Sequence, residues 1–293
     1  MTSLREIRNR IKSIKSSEKI TKAMMMVAAS KLRKAQNSVE NLKPYICQIE
    51  NMLVQLSPYN KTQQHPLTTQ RETVGNVELL VLTSDKGLCG AFNANVIRKV
   101  QNFINSPKLL EGNIRISTFG HRGYDILKRE KIAIRKDYTF KFDSRINYAE
   151  LAKISSEFKY LYTGKEIDEL YVVYNEFKSA TVQQVTIDKL LPINIKKIIH
   201  NHAYADTDHC IYEPNQCEIF ANLLPNYLTT GLLRIFFESA ASEHSARMTA
   251  MDSATKNAKE VMNNLTLKYN RARQAVITNE LIEILSGVEA MIC

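Results

Sequence analysis

Tryptophan is absent from these 293 residues, and glycine and proline are sparse at nine and seven. A collagen-like repeat is excluded by so few glycines, and a disordered or mucin-like stalk by a hydrophobic share of 44% beside 24% charged residues. Also missing is any run of the roughly 18 to 20 apolar residues that a membrane-spanning helix needs. The nearest approaches are Gly231 to Phe237, broken by Arg234, and Ala23 to Ala29, so no direct membrane insertion is expected. The five cysteines, at positions 47, 89, 210, 217 and 293, are odd in number, scattered and without a C-x-x-C pair. A disulfide framework or zinc ribbon does not fit them, and a reducing compartment does.

Charge is abundant but uneven. Lysine and arginine number 40 against 30 aspartates and glutamates, a formal net charge of +10. Residues 1–36 hold Arg5, Arg8, Arg10, Lys12, Lys15, Lys19, Lys22, Lys31, Arg33 and Lys34 against only Glu6 and Glu18. From Gly231 onward the two signs balance, so the basic field belongs to the amino-terminal segment and calls for an acidic partner.

That segment has helical spacing. Leu4, Ile7, Ile11 and Ile14 are followed by Met24, Val27 and Ala28. Then Leu32, Ala35, Val39, Leu42, Ile46, Ile49, Leu53 and Leu56 step alternately by three and four, the seam of a coiled coil. Pro44 lies inside the run, but the register continues through it, which predicts a kink and not an end. At 1.5 Å per residue such a helix reaches roughly 80 Å and must project from a compact domain. From Phe220 a second stripe runs through Leu224, Leu228, Gly231, Ile235, Ser239, Ser242, Ala246, Ala250, Ala254, Ala258, Val261, Leu265, Tyr269, Ala272 and Val276 to Leu281, Ile284 and Val288. Neither stripe can be buried alone, so the two helices are expected to wind together antiparallel.

The centre alternates between β-rich runs (Val77 to Leu82, Asn113 to Phe119, Ile132 to Phe140, Leu170 to Phe177) and helix candidates (Ala94 to Ile104, Arg122 to Arg129, Tyr148 to Tyr162). This predicts a mainly parallel sheet with helices on its faces, a Rossmann-like α/β domain, with an antiparallel edge over Thr181 to Ile187. Polar linkers at Ser57 to Asn76 and Ile198 to Asn215 frame it. The expected organisation is an amino-terminal coiled-coil helix over 1–58, the α/β domain over 74–195 and a carboxyl-terminal coiled-coil helix over 210–293.

Three features carry possible chemistry. The turn Thr83-Ser84-Asp85-Lys86-Gly87-Leu88-Cys89-Gly90 follows a strand and precedes a helix, where doubly wound folds bind phosphate. Its spacing matches no phosphate-binding glycine motif, so it reads as a tight turn needing glycine, with Cys89 a packed thiol. The segment His200-Asn201-His202, with Asp206, Asp208, His209 and Cys210, has metal-ligand residue types without the ordered spacing of a site, and reads as a solvated loop. The basic arm has phosphate-tracking character, but no aromatic residue precedes Tyr45. It also has the composition of a mitochondrial presequence, against which Glu6, Glu18 and the continuing stripe argue. No catalytic set, metal site or cofactor site is expected.

Taken together, Leu4-Arg5-Glu6-Ile7-Arg8, Ile20-Thr21-Lys22-Ala23-Met24-Met25-Met26-Val27-Ala28-Ala29-Ser30-Lys31, the Ser84 to Gly90 turn, Ser242-Glu243-His244-Ser245-Ala246-Arg247-Met248-Thr249-Ala250-Met251 and Tyr269 to Leu281 resemble the gamma subunit of the rotary F-type ATP synthase. The likeness runs along essentially the whole chain. Met25 stands where the family has a charged residue, and the His/Asp linker is outside its pattern. The resemblance implies a non-catalytic rotor shaft in the bore of an alpha/beta hexamer, with the epsilon subunit and membrane c-ring at its foot, on the cytoplasmic face of a bacterial inner membrane. It further implies that Met24, Arg247, Arg273, Gln274 and Thr278 meet the stator and that the basic stripe of Arg8, Lys12, Lys15, Lys19, Lys22, Lys31 and Arg33 meets acidic loops of beta. The alternatives left by the residues themselves are a basic coiled-coil nucleic-acid binder and a nucleotide-binding enzyme on the central domain.

Overall fold

A computed structural model describes residues 4–57, 65–71, 73–106, 112–138, 148–179, 182–201 and 212–292. Residues 139 and 140 of the predicted third strand, Thr181, and His202 to Cys210 of the linker lie outside these residues, as does Cys293. The chain divides into two compact units, one of residues 1–28 with 248–293 and one of residues 29–247. Two helices, α1 (Leu4–Leu56) and α6 (Gln216–Ile292), contribute to both.

In the larger unit, β1 (Asn76–Leu82), α2 (Phe92–Ile104), β2 (Asn113–Phe119), α3 (His121–Arg129), β3 (Ile134–Asp137), α4 (Tyr148–Thr163), β4 (Glu169–Phe177), β5 (Gln183–Leu191) and a short α5 (Ile195–Asn201) follow in order. Among the described residues the five strands lie in the order β3-β2-β1-β4-β5. β1 pairs in parallel with β2 and β4, and β5 alone is antiparallel. The reason is the connection: between Phe177 and Gln183 there is no room for the crossover that a parallel partner requires, so the chain turns back on itself. β5 extends to Leu191, four residues past the predicted end, because its pairing with β4 continues down to Leu170.

The central strand β1 is buried from Val77 to Leu82, as a parallel strand covered on both faces must be. Leu79, Val81, Ile116 and Val173 face Val96, Ile97 and Val100 of α2 and Leu127 of α3. Leu80, Leu82, Phe119, Leu170, Val172 and Tyr174 join a larger core with Leu151, Ile154 and Phe158 of α4, Ile49, Leu53 and Leu56 of α1, and Leu224, Leu228, Leu232 and Phe236 of α6. The linker ahead of β1 is not all loose chain. Leu67 is fully buried and its carbonyl accepts from Ile193 N at 2.8 Å.

Asp168 ties this linker to the sheet. Its Oδ2 accepts from Gly75 N and Asn76 N, each at 2.8 Å, and its Oδ1 pairs with Arg71. Burial pushes the carboxyl up, but the Asn76 N–H, the Arg71 guanidinium and the Gly75 N–H outweigh it and hold the group below the usual carboxylate range. A depressed folded-state value stabilises the fold above the unfolded value of about 4 and loses that stability as pH falls through the folded one. Asp168→Asn is therefore expected to cost about 1.5–3 kcal/mol at pH 7, a deficit that shrinks below about pH 4. Urea unfolding of both proteins over a pH series checks this, and a deficit independent of pH would refute it.

Thr83, at the end of β1, is gripped by two glycines. A Cβ on Gly120, whose φ is +102°, would lie 2.2 Å from Thr83 O, and one on Gly123 would lie 2.5 Å from Thr83 Oγ1. The Thr83 hydroxyl accepts from Gly123 N at 2.9 Å. Gly120→Ala combines a backbone clash with a left-handed φ, and a loss of about 2–4 kcal/mol in thermal unfolding is expected.

Within the larger unit α1 and α6 are antiparallel: the Lys31 charge acts on Glu243, whereas Tyr227 OH donates to Glu50 at 3.3 Å. Along this part of α1 the buried or partly buried side of the helix follows Leu32, Ala35, Val39, Leu42, Ile46, Ile49, Leu53 and Leu56. α1 is uninterrupted at Pro44, which is exposed, as is Glu40, whose carbonyl loses the Pro44 N–H as its helical donor and is left to water.

In the smaller unit, Leu4, Ile7, Ile11, Ile14, Glu18, Thr21, Met25 and Ala28 are the less exposed positions of α1, again stepping by three and four. Val27, expected on this stripe, is 58% exposed, and Glu18 and Thr21 take seam positions instead. On α6 the matching positions are Met251, Thr255, Ala258, Met262, Leu265, Tyr269 and Ala272. The hydroxyl oxygens of Thr21 and Thr255 lie 2.8 Å apart, so the seam carries a polar contact that the apolar stripe did not reveal. Val261 is 45% exposed, its predicted place taken by Met262, and beyond Ala272 every described side chain of α6 is exposed. The predicted stripe through Val276, Leu281 and Ile284 is thus not a seam. Thr21 against Thr255 brings Leu4, the first described residue of α1, level with about Ala272.

Candidate functional site

Three places hold the residues singled out by the sequence. The first is the turn after β1. Ser84 N donates to Asn93 Oδ1 at 3.0 Å, Asn93 Nδ2 donates to Ser84 Oγ at 2.8 Å, and Ser84 Oγ donates to Lys86 O at 2.8 Å. Asn93, in the first turn of α2, thereby ties up the strand-to-helix corner from within. Leu88 and Gly90 have φ of 64° and 59°, so this turn does need left-handed backbone, at a leucine as well as a glycine. Cys89 is 2% exposed and packs with Phe92 and Ala246, while Cys47 and Cys217 are exposed free thiols.

The second place is α6 opposite this turn. Arg247 forms an ion pair with Glu243 at 2.7 Å and donates to Lys86 O at 3.0 Å. Its guanidinium is directed into the chain and not to solvent. Burial pushes the Glu243 carboxyl up, Arg247 and Lys31 draw it down, and Asp85 pushes it up again. Glu243 was not singled out in the sequence, although its i,i+4 spacing ahead of Arg247 is the favourable order for a helical ion pair.

The third place is the outer part of the two helices. Arg273, Gln274 and Thr278 are exposed on α6 past the end of the seam, with Thr278 Oγ1 donating to Gln274 O at 2.9 Å. Met24 and Met25 are both partly buried, and Met26 is 56% exposed. Arg8, Lys12, Lys15, Lys19, Lys22 and Arg33 are exposed, and Lys31 is partly buried. At this spacing the first five follow one another along a single helical face, turned away from the seam. Exposed apolar side chains gather on the overhanging end of α6: Val276, Ile277, Leu281, Ile282, Ile284 and Leu285, the last 67% exposed.

His200, read with its neighbours as part of a solvated loop, lies in helix α5, and His202 falls outside the described residues. No group of three or more His, Cys, Asp or Glu side chains suited to a metal is found among the described residues. A polar network that sequence reasoning missed crosses the sheet instead. Glu78, fully buried on β1, accepts from Ser117 and, at 2.9 Å, from Arg135 Nε, and Arg135 Nη1 also donates to Glu157 of α4 at 3.1 Å. Burial pushes the Glu78 carboxyl up against the pull of Ser117 and Arg135. No local motif announces it, since its members lie on three strands and a helix.

A family model described as ATP synthase matches residues 3–291. The ATP synthase gamma chain of Geotalea daltonii is 42% identical over 294 residues, covering 99% of this chain and 99% of its own. That of Chlorobium phaeobacteroides is 42% identical over 294 residues with the same coverage. Among solved structures, a chain of the central stalk and c-ring of the Tetrahymena thermophila mitochondrial ATP synthase aligns at 26% identity with a TM-score of 0.59, covering 80% of this chain and 99% of that one. A chain of the Euglena gracilis mitochondrial ATP synthase, in its OSCP/F1/c-ring assembly, shares the fold at 19% identity with a TM-score of 0.68, covering 98% and 94%. Neither a nucleic-acid binder nor a nucleotide-binding enzyme finds support in these likenesses.

Proposed function

The chain belongs to the ATP synthase gamma family, and from that premise we propose that it is the central rotor shaft, carrying rotation of the membrane c-ring to the alpha/beta hexamer. Residues 1–58 and 210–293 furnish the shaft and 74–195 the globular part that meets epsilon and the c-ring. The observation that carries the reading is the end of α6. Past Ala272 it has no partner helix among the described residues, yet it exposes Val276, Ile277, Leu281, Ile282, Ile284 and Leu285. An apolar helix end of this kind is stable in water only when another protein surrounds it, as the bore of a hexameric ring does.

Nucleotide chemistry belongs to the partner subunits on this reading, and this chain is non-catalytic. It works by differential contact: its faces bind some stator conformations better than others, and the difference biases their populations. Met24, Arg273, Gln274 and Thr278 are the stator contacts we propose, and the exposed basic stripe from Arg8 to Lys22, with Lys31 and Arg33, meets acidic loops of beta. Arg247 joins this surface through the turn it holds. No helix among the described residues is long and apolar enough to cross a membrane. On the shaft reading, attachment is peripheral, through the c-ring, at the cytoplasmic face of a bacterial inner membrane.

The tagged chain should co-purify with alpha, beta, epsilon and the c-ring and restore ATP-driven proton pumping to a complex lacking its gamma subunit. Failure to enter the complex would refute the shaft. The isolated chain should show no stoichiometric nucleotide binding in calorimetry, because the Ser84 to Gly90 turn lacks phosphate-cradling spacing and is tied up by Asn93. Micromolar binding at one site per chain would overturn the non-catalytic assignment.

A further inference from the structure

One carboxylate stands behind the contact between α6 and the turn after β1. Glu243 is 4% exposed, and its Oε2 has no hydrogen-bond partner among the described residues. Its Oε1 accepts from Arg247 Nη1 at 2.7 Å, the two side chains being 5% and 11% exposed. The rest of the guanidinium is aimed at main chain: Nη2 donates to Lys86 O at 3.0 Å and Nε to Gly87 O at 3.4 Å. Nη1 also lies 3.3 Å from His244 Nδ1.

A buried carboxylate is a poor choice for helix packing, since an apolar side chain of similar volume removes its desolvation cost. Its use here makes sense as an orienting group. An arginine has several rotatable bonds and a planar five-donor fork, and pairing it four residues back on the same helix selects one orientation. In that orientation the fork meets two successive carbonyls of the turn. The following residue, Leu88, is held at φ 64°, a conformation that a leucine keeps only where its surroundings impose it.

We propose that Glu243 is a positioning residue that aims Arg247 at the Lys86 and Gly87 carbonyls and so locks the Ser84 to Gly90 turn to α6 as one rigid body. The charges around it fit that task. Burial disfavours the ionised carboxylate, and Arg247, more than Lys31 of α1, draws it back toward the ionised, Arg247-binding form against the opposing charge of Asp85 in the turn. What the latch does in the assembly rests on the shaft reading: a load on the exposed Leu88 passes to α6 without slack.

Cys89 reports on the latch, since at 2% exposure it reacts only when the turn opens. In the assembled complex, maleimide labelling of Cys89 is followed by mass spectrometry of its peptide, with amide exchange measured over Val77 to Leu82 and over the turn. Glu243→Gln removes the orienting charge but leaves a buried guanidinium. The double variant Glu243→Gln with Arg247→Met removes both charges at similar volume and keeps the helix packed. Both are expected to label Cys89 about tenfold faster, with exchange raised in the turn and unchanged in β1. Labelling at the wild-type rate in both variants overturns the latch. So does an equal rise of exchange in β1 and the turn, which marks a merely structural role. Proton pumping on the same complexes tests the shaft reading separately. Faster labelling with fewer protons per ATP supports both, and faster labelling with wild-type pumping supports the latch while rejecting its part in transmission.

Discussion

Alanine at both Arg273 and Gln274 is expected to lower the protons pumped per ATP hydrolysed by about fivefold or more, in a complex that still assembles. The magnitude follows from the usual range of coupling free energies between sites, about 1–3 kcal/mol. Both residues are exposed on α6 just past the last seam position, Ala272, so neither packs the shaft. Arg273 offers a planar fork suited to carboxylates of surrounding subunits. Removing the two should abolish the differential contacts these side chains make while leaving every apolar seam position in place. If they were only solvated surface, the substitutions would change stability by no more than about 0.5 kcal/mol and leave coupling alone. Hydrolysis and pumping measured together on reconstituted complex decide the matter, and wild-type coupling in a fully assembled double variant would remove both residues from the mechanism.

Phe236→Ala is expected to cost the larger unit about 3–5 kcal/mol. Phe236 is fully buried on α6 and meets Phe119, at the end of β2, edge to face with ring centroids 4.3 Å apart. The substitution loses the buried area of a phenyl ring, leaves a cavity that close-packed neighbours fill only in part, and removes an aromatic pair worth about 0.5–1.5 kcal/mol. Phe119 borders Gly120 and Thr83, the corner where the Ser84 to Gly90 turn begins, so the loss falls on the packing that holds the turn's root. Urea unfolding should show a lower midpoint with an unchanged slope. A loss below about 1 kcal/mol would mean that this pair does not join the sheet to the helix.

The candidate sites were legible to different degrees. Arg273, Gln274 and Thr278, named by the family resemblance, fall off the apolar stripe of α6, so their exposure was readable from helical spacing. The place of Arg247 was not. The sequence offers it as a surface arginine on a long helix, and only the approach of the β1–α2 turn supplies the Lys86 and Gly87 carbonyls that draw it inward. The His/Asp segment shows a different error, since its polar composition reads as a solvated loop and His200 is in a helix.

By itself the sequence determined what depends on near neighbours along the chain. The three-four step from Leu32 to Leu56 specified a helix with one buried side, and β-rich runs separated by helical ones specified a mainly parallel sheet, because both follow from side-chain periodicity. Tertiary structure decided what depends on residues far apart. It put Thr21 and Thr255 into the seam and Val27 outside it, because a coiled-coil position is defined by the partner helix and not by the hydrophobicity of one residue. Among the described residues it closed the seam at Ala272, level with Leu4 of α1, although the apolar stripe of α6 continues. It buried Glu78 and Glu243, which a sequence shows as ordinary charges, because each has an arginine brought to it by the fold: Arg135 from another strand, and Arg247 from the next turn of α6, held by a loop more than 150 residues earlier in the chain. Periodicity is a local property of the chain, while the compensation of a buried charge is a property of its three-dimensional neighbourhood.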